Sequence, residues 1–311
     1  MAANQANTGS AASTAELPVS IQPRDGFMLG TFEAMASPCE ILIETTDSEL
    51  ARRITRMACN EAKRIEHKYS RYRPDSVISA INNSQGQPVD IDQETLRLLC
   101  FANTCYQLSE GMFDITSGVL GKVWHFDGSD RLPDKADIDA VLSLIGWHRV
   151  ALSPQTVTLP AGMQLDVGGI GKEYAVDCVA ALVSEQVSEV SVVVNFGGDI
   201  QVSRRRLNDQ PWHIGIENPL KEEQGETLVK IYQGGLATSG DARRYLLHNG
   251  KRYSHILNPN TGYPIELPPR SVTVAAESCT QAGLLATLAM LQGQNAEGFL
   301  TEQGLTHWVY R

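Results

Sequence analysis

Met163-Gln164-Leu165-Asp166-Val167-Gly168-Gly169-Ile170-Gly171-Lys172 is the stretch whose reading decides the fold. Its apolar start predicts a short strand over Met163 to Val167, closed by a carboxylate and a glycine-rich turn. A helix is predicted from Lys172 to about Gln186, and the β-branched run Val190 to Val194 predicts a buried strand after it. That strand breaks at Asn195-Phe196-Gly197-Gly198-Asp199. Strand, turn, helix and strand follow one another here, but no regular βαβ period continues to either side. The fold class expected is therefore α+β, mixed sheets with packed helices, and not a doubly wound sheet.

Upstream, Glu40 to Glu44 reads as an early strand. Leu50, Ile54, Met57, Ala58, Ile65 and Tyr69 then recur at helical spacing. Pro74 disfavours helical geometry in Arg73, so that helix stops before it. A second helix is expected from about Gln93 to Leu108, ending near Gly111, and a third around Ile138 to Ile145, closed by Gly146. Downstream come a turn at Thr238-Ser239-Gly240-Asp241, a hairpin at Asn249-Gly250, a strand from Ser271 to Ala276 and a helix from about Thr280 to Leu291. Residues 1–26, rich in Ala, Ser, Thr and Asn, read as a disordered leader, and 27–311 as the folded domain.

Charge narrows the function classes. With 26 Lys and Arg against 36 Asp and Glu, the net charge of −10 argues against a sequence-independent nucleic-acid binder and against a polybasic membrane anchor. No run reaches the roughly 18 apolar residues of a membrane span. The N-terminus has neither a basic start nor an apolar run, so no signal peptide is visible. The expected location is the cytoplasm, or the periplasm if a signal has been removed. Cysteines 39, 59, 100, 105, 178 and 279 form no CxxC pair and no Cys/His cluster, which argues against structural zinc and for reduced thiols.

Two segments carry candidate chemistry. The first is the opening stretch, where a carboxylate, a flexible turn and a lysine at a helix start suit an anion. It is not a P-loop, which needs Gly at Asp166 and Ser or Thr at Glu173. Nor is it a dinucleotide fingerprint, whose third glycine would fall at Tyr174. The second is Thr238 to Asp241 with Tyr253-Ser254-His255-Ile256-Leu257-Asn258-Pro259-Asn260-Thr261-Gly262-Tyr263-Pro264. Hydroxyls, a carboxylate and a histidine gather there in segments read as loops.

Seven segments in order resemble one family. Ala34-Met35-Ala36-Ser37-Pro38-Cys39-Glu40-Ile41 is similar to an AMGTPCEI opening, and Tyr69 to Ser76 to S-x-Y-R-P-D-S. Phe113 to Gly118 matches FDITxG, Leu165 to Tyr174 matches LDxGGIAKGY, and Val194 to Ile200 matches VNxGGDI. Ala237 to Asp241 reads ATSGD, and His255 to Pro264 resembles HILDPxTGYP. Over roughly residues 27 to 293 the chain thus resembles the FAD:protein FMN transferase family, also called the ApbE family.

The resemblance implies an α+β fold with FAD in a central cleft, usually with magnesium. The implied reaction moves FMN from FAD to a Ser or Thr hydroxyl of an acceptor redox protein and releases AMP. The resemblance assigns Met35, Tyr72 and Met112-Phe113-Asp114 to the FAD site, with further contacts from Asp166, Lys172 and Ile256. It puts His255 at the reaction centre. Chemically, Lys172 and the glycine N–H groups suit phosphate charge, and His255 suits the base. Asp241 is a second catalytic candidate, with Thr238, to position substrate or a metal's water shell.

The metal side departs from the resemblance. An A-D-A-L-A-T helix would present Asp and Thr on one face to magnesium. Here Ala282 to Thr287 keeps Thr287 but has Gly283 at the carboxylate position, and Gly169 would supply a carbonyl ligand. Asn258 replaces the Asp of HILDP. Three outcomes are open: Glu277 or another carboxylate substitutes, magnesium binds weakly through phosphates and water, or activity is reduced. Two alternatives stand beside the transferase: an FAD-binding protein that has lost transfer, and a metal-dependent FAD pyrophosphatase giving FMN and AMP.

Overall fold

Val192, Val193 and Val194 show how the main sheet is built, because successive side chains of a strand go to opposite faces. Val192 and Val194 join the core beneath the helices, while Val193 joins Trp212, Ile214 and Ile216 on the far side. The fold is a computed structural model that describes residues 18–127, 129–219, 227–241 and 244–311.

The N-terminal part comprises β1 (Ser20–Arg24), β2 (Phe27–Ala34), β3 (Ser37–Ile43), α1 (Ser48–Tyr69), α2 (Val77–Asn82), β4 (Val89–Asp90) and α3 (Gln93–Leu108). The middle comprises α4 (Lys135–Leu142), β5 (Ala151–Leu152), β6 (Thr156–Thr158), α5 (Gly171–Gln186), β7 (Val192–Phe196), β8 (Asp199–Val202), β9 (Trp212–Ile216) and β10 (Thr227–Ile231). The rest comprises β11 (Gly234–Gly240), β12 (Tyr245–His248), β13 (Lys251–Ser254), β14 (Ser271–Ala276), α6 (Cys279–Leu291), α7 (Ala296–Glu302) and β15 (Thr306–Tyr310). Among the described residues, eight strands form one sheet in the order β1-β2-β3-β7-β8-β11-β14-β15, every pair antiparallel. Helices α1, α5 and α6 cover one face, and the β9–β10 ribbon packs on the other. The α+β expectation holds. No helix among the described residues is long and apolar enough to cross a membrane.

Helix α1 follows from its sequence. Asp47 caps it by accepting from the Glu49 and Leu50 N–H groups at 2.9 and 3.2 Å. Ala51, Ile54, Ala58, Ala62 and Ile65 then bury one face at three- and four-residue spacing. Helices α3, α5 and α6 and strands β3, β7 and β14 lie within two or three residues of the expected positions, and Asn249-Gly250 turns the β12–β13 hairpin.

Four expectations need correction. Residues 20–24, read as leader, form edge strand β1 against β2; residues 1–17 lie outside the described residues. Met163 to Val167 is extended but joins no sheet, because the Asn82 side chain takes both backbone groups of Leu165, at 2.7 and 3.0 Å. Thr238 to Gly240 is not a turn but the end of β11, running past β8 and paired with Thr273, Val272 and Ser271 of β14. The third helix is α4, which starts at Lys135, earlier than read, and Gly146 lies beyond it at φ 147°.

Candidate active site

Four of the residues singled out from sequence line one cleft of about 330 Å³: Met35, Tyr72, Asp166 and Lys172. Met35 enters through backbone geometry. It and Ala36 are the two-residue turn between β2 and β3, at φ 53° and 54°. Left-handed geometry costs a non-glycine residue free energy. Here it is held by tight strand pairing and by the Met35 N–H donating to Glu66 Oε1 of α1 at 2.9 Å. Tyr72 stands on the rim with 79% of its surface exposed and Arg71 over its ring, 4.9 Å from the centroid. Arg71 Nη2 also donates to the Tyr72 hydroxyl at 3.0 Å.

The floor of the cleft is the glycine turn. Asp166 Oδ1 accepts from the Gly168 N–H at 2.8 Å, and Oδ2 faces Arg71 Nη1 at 3.3 Å. Arg71 Nη1 also donates to the Gly118 carbonyl at 2.9 Å. This crossing explains Gly118, since a Cβ there would fall 2.6 Å from the Asp166 Cβ. Lys172, in the first turn of α5, reaches Asp199 Oδ2 at 2.7 Å. Burial works against the Lys172 charge, but the Asp199 carboxylate outweighs it, so the lysine's pKa is raised, while burial also raises that of Asp199. Asp199 also accepts from the Thr238 N–H at 3.3 Å.

The FDIT segment packs from the side. Phe113 is buried beneath the turn, its ring 3.4 Å from where a Cβ on Gly169 would stand. Asp114 is buried: Oδ1 accepts from the Thr116 N–H and hydroxyl at 2.7 and 2.6 Å, and Oδ2 from the Trp147 N–H at 2.9 Å. Its carboxylate therefore holds the segment together. Half-buried Met112 accepts from Asn260 Nδ2 at Sδ, 3.4 Å, tying this segment to the histidine loop.

His255 follows β13 and is not among the residues lining the cleft. Its Nδ1 lies 2.9 Å from the Arg244 carbonyl, and its ring stands edge-on to Phe126. A carbonyl only accepts, so in the neutral imidazole Nδ1 carries the hydrogen and Nε2 keeps a lone pair. Burial holds its pKa below the ordinary imidazole value. Asp241 is buried with its carboxylate on Arg252 Nη2 at 3.1 Å and Arg270 Nη1 at 3.8 Å. It braces the hairpin that carries His255. Ile256 is half-buried against the core.

The expected metal side holds a surprise. Thr287 and Gly283 share one face of α6, and Thr287 Oγ1 is 3.4 Å from Ser239 Oγ. Glu277 is exposed and does not fill the place of a side chain at 283. Glu173 does: a Cβ on Gly283 would lie 2.6 Å from Glu173 Cγ and 2.9 Å from its Oε1. Burial, then the Asp199 charge, pushes the Glu173 carboxyl up to about 8. A buried carboxyl oxygen without a partner at the 283 position, with a hydroxyl one turn along the same face of α6, is oxygen chemistry of the kind a divalent cation takes, so the residues present fit magnesium. Sequence reasoning missed Arg71, Glu173 and Asp199. Asp199 and Arg71 left a signal, as the last residue of the glycine break after β7 and as a member of the Tyr69 to Ser76 segment, and Glu173 as a departure from the motif's Gly.

The fold and cleft define an α+β protein of a known architecture. It superposes on a crystal structure of an ApbE protein from Thermotoga maritima with a TM-score of 0.83 at 29% identity, covering 91% of this chain and 94% of that one. The ApbE family model matches residues 35–308, and the chain belongs to the ApbE family. It is 31% identical over 246 residues to the FAD:protein FMN transferase of Haemophilus influenzae, covering 75% of this chain and 70% of that protein. It is 32% identical over 237 residues to that of Vibrio cholerae, covering 74% and 70%.

Proposed function

We propose that this chain is an FAD:protein FMN transferase, which joins FMN from FAD to a Ser or Thr hydroxyl of an acceptor protein and releases AMP. The observation that carries it is the cleft itself. One wall is an exposed aromatic, Tyr72, and the floor is a glycine turn flanked by Asp166 and by Lys172 at a helix start. A flat ring and an anionic linker fit those two surfaces.

Tyr72 and Met35 offer stacking and polarizable surface to the flavin. Lys172 faces pyrophosphate charge, which grows as the bridging bond breaks, while the Gly168, Ile170 and Gly171 N–H groups are spent on Asp166 and Val167 and shape the turn. His255 Nε2 takes the acceptor's proton as its oxygen bonds to the FMN phosphorus. The phosphorus–oxygen bond to AMP breaks in the same step, so AMP leaves with the bridging oxygen. Asp241, occupied by Arg252 and Arg270, is a positioning residue for the His255 hairpin. Magnesium, held by the Thr287 hydroxyl and the Gly169 carbonyl with a carboxylate, would neutralise phosphate charge when bound.

The test is chromatography of AMP from FAD, magnesium chloride and the protein, with a peptide bearing Ser or Thr and with its Ala counterpart. AMP that requires the hydroxyl supports transfer. AMP formed equally with either peptide identifies a pyrophosphatase, and no AMP in any mixture sinks both.

A further inference from the structure

We propose that Glu173, on α5, supplies the metal site's carboxylate, reaching across to the α6 face that Gly283 leaves open. The inference rests on the reading of the cleft as an FAD site and names which residue of this chain completes it.

Space comes first. Gly283 is buried, and the Glu173 side chain lies where its Cβ would be, with Cγ, Oε1 and Cδ at 2.6, 2.9 and 3.0 Å. A side chain at 283 and Glu173 in this position therefore exclude each other. The two departures are reciprocal, for the motif that residues 165–174 match has Gly where Glu173 stands.

Charge comes second. Glu173 Oε2 is buried and has no hydrogen-bond partner among the described residues. An orphaned buried carboxylate oxygen is costly, and folds keep one only when something else satisfies it. The nearby charges do not. Asp199 and Asp177 are carboxylates, and Lys172 is already 2.7 Å from Asp199. Asp177 is committed to the start of α6, accepting from the Cys279 and Thr280 N–H groups at 2.9 Å each. Among the described residues, Glu173 thus sits near two other carboxylates with no cation of its own. A hard divalent cation between Glu173, the Thr287 hydroxyl and ligand phosphates answers both the unmatched charge and the orphaned oxygen.

The test is calorimetric titration of magnesium chloride into FAD-saturated protein, with FAD binding followed separately by flavin fluorescence. Glu173→Gln should weaken magnesium binding on the order of 100-fold and leave metal-free FAD binding unchanged. Gly283→Asp alone should not tighten magnesium and should lower Tm, because the new side chain meets Glu173. Glu173→Gly combined with Gly283→Asp, which moves the carboxylate back to α6, should recover most of the magnesium affinity. Unchanged magnesium binding in Glu173→Gln, tighter binding in Gly283→Asp alone, or no magnesium binding by FAD-loaded wild type would each overturn the assignment. Absence of FAD binding in the wild type would instead sink the functional reading beneath it.

Discussion

Lys172 Nζ and Asp199 Oδ2 lie 2.7 Å apart, joining the first turn of α5 to the first residue of β8 on the edge of the cleft. The pair fixes the lysine where a ligand anion would meet it, and it fixes a carboxylate that is almost wholly buried.

Removing one partner strands the other. Lys172→Met leaves Asp199 buried and unpaired, and should cost about 3 kcal/mol of stability in urea unfolding. It should also weaken FAD binding. Lys172→Met with Asp199→Leu should recover much of the stability but not the FAD affinity. Recovery of both would show that Lys172 acts only on Asp199.

Ala36 carries strain that glycine would relieve. At φ 54° its Cβ crowds the backbone, and the motif that residues 34–41 resemble has Gly there. Ala36→Gly should raise stability by about 1 kcal/mol, read as a higher Tm. An unchanged or lower Tm would mean that the turn's strain is offset elsewhere.

Gly118 is required by the Asp166–Arg71 crossing. A Cβ at 118 would stand 2.6 Å from the Asp166 Cβ. Gly118→Ala should therefore destabilise the fold by about 2 kcal/mol and shift Asp166, weakening FAD binding in parallel. Loss of stability with wild-type FAD affinity would remove Asp166 from the ligand contacts.

The pH profile reports on His255. Burial lowers its pKa from the ordinary 6.5, so the free Nε2 lone pair persists to lower pH than in water. A base must be deprotonated, so transfer should be level above about pH 6.5 and fall only as pH drops through the depressed value. His255→Ala should abolish both the transfer and this acid limb while FAD still binds. An acid limb that survives in His255→Ala belongs to another group.

Much of this was legible in the sequence because local chemistry and tertiary structure agree. The α1 face and the Val192 to Val194 run state their own burial, and Asn249-Gly250 announces its hairpin. Met163 to Val167 misled because apolar alternation does not say what satisfies the backbone, and Asn82, far away in sequence, does so. Thr238 to Gly240 misled because its small and hydroxyl residues suit a turn as well as a crowded central strand. The Asp114 motif marked a neighbourhood of the site, and packing shows its carboxylate tied to Thr116 and Trp147. The role of Glu173 stayed invisible because only packing brings it onto Gly283, across two helices.

Transfer itself is tested most directly by intact-mass spectrometry of an acceptor peptide containing a single Ser or Thr, incubated with this protein, FAD and magnesium chloride. The account predicts one new species, heavier by FMN less one water, formed in step with AMP and absent when FMN replaces FAD. An acceptor that keeps its original mass while FAD is bound or cleaved would contradict it.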